Sequence, residues 1–119
     1  MVAQTSIAKN FLSASINGKP IKVVATATLG TTIHTAVAGT AAVDEIWIWA
    51  YNSDTVARLL TIEWGAATAP DCNVCITIPP KNGANLVIPG WLLQNGLVVT
   101  AFAAAANVII IDGHVNSMS

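Results

Sequence analysis

Residues 43–65, VDEIWIWAYNSDTVARLLTIEWG, constrain this chain more than any other stretch, because they alternate between two rows that are both apolar. Successive side chains of a strand point to opposite faces. Glu45, Trp47, Trp49 and Tyr51 therefore share one face, and Ile46, Ile48 and Ala50 the other. The second arm puts Leu60, Ile62 and Trp64 on one side and Leu59, Thr61 and Glu63 on the other. Asn52, Ser53 and Asp54 between them have side chains that hydrogen-bond local backbone, and they predict a turn. The stretch reads as the central hairpin of an all-β domain. One apolar row requires a facing sheet, and the other requires a second cover.

Helices would supply that cover in a parallel α/β protein, but no stretch here has a convincing amphipathic helical period. Another subunit is the natural candidate. Trp47, Trp49 and Tyr51 bring roughly 150–250 Å² each, so leaving them bare would reach or exceed the largest apolar patch of an ordinary monomer, roughly 300–600 Å². The expectation is an obligate oligomer or an assembly component.

Charge content sharpens this reading. Only 9% of the 119 residues are charged and 54% are hydrophobic, against about 25% charged in an average soluble domain. No apolar run reaches the roughly 18 residues of a spanning helix, and the first twenty residues lack the basic and apolar regions of a secretory signal. Synthesis in a cytoplasm and no membrane association are expected. The five basic residues, Lys9, Lys19, Lys22, Arg58 and Lys81, are scattered and form no stripe for phosphates, so nucleic acid is not an expected partner.

Residues 1–17 show no strand period and read as an extended N-terminal arm, closed by a turn at Asn17, Gly18, Lys19 and Pro20. The arm has three possible fates: lying on its own domain, crossing to a neighbour, or staying mobile. Residues 18–119 read as one β-sandwich. Its strands are expected over 21–29 and 31–36, in the central hairpin, over 73–78, 84–88, 91–94 and 97–103, and from 107 to 116. Pro79 to Gly83 mark a loop tip, Pro89-Gly90 a turn, and Asn95-Gly96 a hairpin. In the last strand Val108 and Ile110 alternate with Ile109 and Ile111, which predicts burial on both faces. About eight short strands without an internal repeat favour a jelly roll over an up-and-down barrel.

Candidate chemistry is sparse. Cys72 and Cys75 form a C-x-x-C, but the following residues continue as a strand, whereas a redox pair needs a strand-to-helix turn. His34 and His114 are far apart and unpaired in spacing, so no metal site is expected, and each reads as an ordinary polar strand residue. Serine, histidine and aspartate are all present, but no G-x-S-x-G elbow is. Asp44 and Glu45 face opposite sides and read as the solvated start of a strand, and Asp71 and Asp112 read as turn residues. No cofactor and no enzymatic activity are expected. The aromatic residues Trp47, Trp49, Tyr51, Trp64 and Trp91 suit a core or subunit contact, or alternatively a carbohydrate-binding face.

Three runs carry a family likeness: IHTAVAGTAAVDEIWIWAYNSDTVARLLTIEWG, IPPKNGANLVIPGWLLQNGLVVTAFA and ANVIIIDGHVN. In strand order, Ala/Thr/Ile/Val richness and turn placement, residues 32–116 resemble small auxiliary structural proteins of tailed bacteriophages, especially head decoration or cement proteins with a β-sandwich fold. The resemblance implies a virion protein on the outer head surface, made in the host cytoplasm, with the major capsid protein as partner. It also implies a homo-oligomer, a trimer foremost, that clamps neighbouring capsid subunits. It transfers no functional residue. Trp47, Trp49, Tyr51 and Arg58 are the expected subunit contacts. The rival expectation is a carbohydrate-binding host-recognition module of a phage tail or head fibre.

Overall fold

The computed structural model describes residues 4–119 and, among them, nine strands and no helix. These are β1 (Ile7–Phe11), β2 (Ile21–Lys22), β3 (Thr31–Thr35), β4 (Val43–Asn52), β5 (Arg58–Trp64), β6 (Asn73–Ile78), β7 (Asn85–Leu93), β8 (Val98–Ala103) and β9 (Ile109–Met118). One sheet runs β1-β9-β4-β7, with β2 also on β9, and the other runs β3-β8-β5-β6. All ladders between these strands are antiparallel. β1 and β2 occupy successive stretches of the same edge of β9. The facing arrays β2-β9-β4-β7 and β3-β8-β5-β6 are the strand order of a jelly roll, the arrangement expected of about eight strands without an internal repeat.

The interior follows from the alternation. Ile46, Ile48 and Ala50 of β4 are fully buried against the opposite sheet's Leu60, Ile62, Val99 and Ala101, with Ile109, Ile111 and Val115 of β9 beside them. Burying each aliphatic side chain of this size contributes roughly 1.5–3 kcal/mol, so these rows fix the register of β4 and β9. The outer row, Glu45, Trp47, Trp49 and Tyr51, is only half-buried. In β9, likewise, Ile109 and Ile111 are buried, whereas Ile110 stays half-exposed.

Several local expectations change in three dimensions. β4 and β5 do not form a hairpin. β4 pairs with β7 and β9, while β5 pairs with β6 and β8 in the other sheet. Their apolar rows pack face to face across the core, so the connection arches between the sheets. Asn52 holds that arch from inside. Its Nδ2 donates to the Val56 and Ile78 carbonyls at 2.9 and 3.0 Å, and its Oδ1 accepts the Asp54 N–H at 2.9 Å. Asn95-Gly96 has the left-handed backbone expected of it, φ 64° and 67°. It too links opposite sheets, and its two N–H groups donate to the Gly39 and Val37 carbonyls.

Pro89-Gly90 is a bulge inside β7, where the register against β4 shifts between Ile46 and Trp47. Gly90 has φ +77°, and a Cβ there would lie 2.8 Å from Trp47 Cζ2, so the indole rests on bare backbone. The strand expected over 21–29 stops after Lys22. The Thr31 hydroxyl accepts the Val24 and Ala25 N–H groups at 3.0 Å each, replacing the ladder there with side-chain hydrogen bonds. Within the expected arm, β1 pairs with β9 over five residues, and Leu12 is fully buried in the core. Residues 1–3 lie outside the described residues.

Candidate functional site

The outer face of the β1-β9-β4-β7 sheet gathers most of the aromatic residues that the alternation singled out. The strand register sets them in rows: Phe11, His114, Trp47 and Pro89; then Lys9, Asn116, Glu45 and Leu92; then Asp112, Trp49 and Leu86. Glu45 Oε1 accepts hydrogen bonds from Trp47 Nε1 at 2.9 Å and Asn116 Nδ2 at 2.8 Å. These two, Trp47's first, outweigh partial burial and hold the Glu45 carboxyl below its ordinary value. The Trp47, Trp49 and His114 rings lie 5.8–6.3 Å apart, centroid to centroid, with planes within 28° of one another.

Beside this cluster lies an open groove of about 770 Å³, bounded by Trp49, Asp112 and His114 on one side and Lys9 and Phe11 on the other. Asp112 is not in a turn but inside β9, directly opposite Trp49. Its Oδ1 accepts the Gly113 N–H at 2.8 Å. Sequence reasoning missed the assembly of Lys9, Phe11, Asp112 and His114 because it depends on the register of β1 on β9, two segments a hundred residues apart. Their one local signal was the alternation of Ile7, Lys9 and Phe11 in a segment read as an arm.

Of the four expected subunit contacts, Trp47, Trp49 and Tyr51 lie in one row on this face, half-buried. Arg58 is elsewhere, at the start of β5 in the other sheet. Its Nη2 and Nε meet Asp54 Oδ2 at 2.6 and 2.8 Å. Trp64 and Trp91 pair edge to face at 5.5 Å, joining β5 to β7 at the side of the sandwich.

Two buried polar clusters complete the inventory. His34 Nδ1 accepts the Ser13 N–H at 2.9 Å, which places the ring proton on Nε2, donated to Asp44 Oδ2 at 2.8 Å. Asp44 also accepts from the Val37 N–H and the Ser117 hydroxyl. Asp44 is thus 3% exposed, not the solvated strand start its position suggested. Serine, histidine and aspartate meet here, but Ser13 offers the imidazole its main chain, while its hydroxyl accepts the Thr35 N–H at 2.7 Å. The arrangement pins the N-terminal segment and presents no nucleophile to the ring.

The second cluster is Glu63, 1% exposed, whose carboxylate accepts hydrogen bonds from the Gly30 N–H and the Thr28 and Thr100 hydroxyls. Cys72 and Cys75 are free thiols, Cys72 half-buried and Cys75 exposed on β6. Among the described residues no three His, Cys, Asp or Glu side chains stand together as a metal site.

No family model, curated protein or solved structure matches this chain.

Proposed function

We propose that the chain is a structural virion protein of the head decoration or cement type, which binds the outer surface of a capsid as a homo-oligomer and stabilises the shell. The observation that carries this reading is the outer face of the β1-β9-β4-β7 sheet. Phe11, Leu92 and Leu86 there are 60%, 50% and 48% exposed, flanking the half-buried Trp47 and Tyr51. A sheet of this kind needs a cover that the described residues do not provide. The likeness of residues 32–116 to decoration proteins supports the same reading, with the major capsid protein as partner and a trimer as the arrangement it implies.

The mechanism is linkage. A protein that binds only assembled lattice lowers the free energy of the assembled state by RT ln(1 + [L]/Kd), about 2.7 kcal/mol per site when its concentration is a hundredfold above Kd. A rigid jelly roll suits this role because its interior rows stay fixed while the apolar exterior makes the contact. Of the expected contact residues, Trp47 and Tyr51 suit it best. Arg58, held by Asp54 within its own loop, suits it least.

The test is co-sedimentation of the purified protein with empty heads of the virus that encodes it. Saturable binding to heads and none to free capsid subunits is the expected result. Absence from purified virions, read by mass spectrometry, would reject the reading.

A further inference from the structure

We infer that the groove between β1 and β9 is a binding site for a neutral saccharide, with Trp49 as the stacking platform. This goes beyond the shell-binding reading and does not rest on it; the groove opens on the same sheet face, so it is a site of the uncovered protomer. A pyranose ring has an apolar face of C–H groups and a rim of hydroxyls, so its site needs an aromatic surface with both donors and acceptors at its edge. The groove has both. At about 770 Å³ it lies within the range of small-molecule clefts, roughly 300–1,000 Å³.

Trp47 and Trp49 differ in what their indole N–H groups do. Trp47 donates to Glu45 and rests on Gly90, so it is held as part of the sheet. Trp49, which lines the groove, has no hydrogen-bond partner for Nε1 among the described residues, and that donor is free for a ligand. The Lys9 ammonium and the His114 ring nitrogens are likewise free, and Asp112 uses only one carboxylate oxygen, on Gly113. The unpartnered groups that line the groove with Trp49 therefore include both donors and acceptors. The opposite wall is fixed too. Gly18, at φ +84°, lets the Phe11 ring approach to 3.1 Å of where a Cβ would stand.

Charge selects the class of sugar. Lys9 and Asp112 give the groove one permanent charge of each sign, and among its lining residues only the His114 imidazole could add a second positive charge. A neutral hexose or N-acetylhexosamine chain matches that balance, whereas an acidic glycan would meet Asp112.

The experiment is a glycan array carrying neutral oligosaccharides that end in glucose, galactose, mannose or N-acetylglucosamine, with sialylated and sulphated glycans on the same surface. Intrinsic tryptophan fluorescence titrations with the bound oligosaccharide follow. The expected result is selective binding of a neutral series, weakened at least tenfold by Trp49→Ala and at least fivefold by Asp112→Asn. Leu59→Ser, at an exposed position on the opposite sheet, should leave it unchanged. If Trp49→Ala does not fold, Phe11→Ser, at a side chain already 60% exposed, replaces it with the same tenfold expectation. Absence of neutral glycan binding, preference for the acidic glycans, or undiminished binding by the variants would overturn the inference. Head co-sedimentation is read separately, so failure of either proposal leaves the other standing.

Discussion

Glu63 shows how one residue can carry more of the fold than its neighbours' sequence announces. Burial by itself raises its carboxyl pKa, but hydrogen bonds from Thr100, Thr28 and the Gly30 N–H outweigh that and hold it below the ordinary 4.5. A carboxyl lowered in the folded state contributes stability that is fully present above its unfolded pKa and is lost as pH falls through its folded value. Glu63→Gln removes the charge but keeps the shape. In urea unfolding from pH 7 to pH 3, the variant should start less stable, by roughly 1–3 kcal/mol. The gap to wild type should narrow as pH falls below the ordinary carboxylate range and the lowered wild-type carboxyl protonates. A gap independent of pH would show that the charge contributes nothing. Glu63 was legible only as a member of a strand row, because two of its partners, Thr28 and Gly30, come from a loop more than thirty residues upstream and the third, Thr100, from the neighbouring β8. The opposite facing of Asp44 and Glu45 was legible, since it follows from strand alternation alone. That Asp44 meets His34 was not, since the meeting depends on the ladder between β3 and β8 and on how the two sheets face each other.

At the scale of elements, local chemistry was read well and its partners poorly. Asn95-Gly96 and Asn17-Gly18 both take the left-handed backbone their sequences favour. Whether such a turn joins neighbours in one sheet or arches to the other is decided by which apolar rows must meet, and that is a property of the whole core. Pro89-Gly90 illustrates the ambiguity, because the pair that ends a strand in one context serves as a bulge here. Gly90→Val would force a branched side chain into a left-handed backbone, costing about 1–3 kcal/mol, and would drive its Cβ into the Trp47 ring. A lower melting temperature together with altered near-UV circular dichroism is expected. Loss of stability without an aromatic signal would place the strain elsewhere. β1 poses a different question, because all five of its residues are exposed. It is held by its ladder to β9, by Leu12 in the core and by Ser13 on His34. Leu12→Ala should cost roughly 2–5 kcal/mol, and hydrogen exchange should show amides 7–11 opening at least tenfold faster than those of β4. Equal acceleration in both strands would mean that β1 opens only with the whole domain.

For the whole molecule, the decisive quantity is the apolar exterior that the sandwich leaves over. Its extents are 45 × 28 × 20 Å. A broad face of that size can supply the roughly 800 Å² per partner of a standard protein interface. Strand alternation over residues 43–51 requires a second cover over the row of Trp47, Trp49 and Tyr51. The fold leaves that row half-buried, while Ile48 beneath it is wholly enclosed. Association through this face therefore predicts a particle heavier than the 12.3 kDa protomer in light scattering at micromolar concentration, three times heavier for a trimer. The double variant Leu86→Lys and Leu92→Lys places two cations on strand positions already about half exposed. Exposed substitutions of this kind change protomer stability by about 0.5 kcal/mol or less, whereas charges brought into a desolvated apolar contact oppose it strongly. The variant should scatter as a monomer with its β-sheet circular dichroism intact. A wild-type protomer that is monomeric throughout the micromolar range would remove self-association, leaving the capsid lattice as the only cover for this face in the shell-binding reading. A variant that stays oligomeric would move the contact to another surface, and Leu59, exposed on the opposite sheet, is the next position to charge.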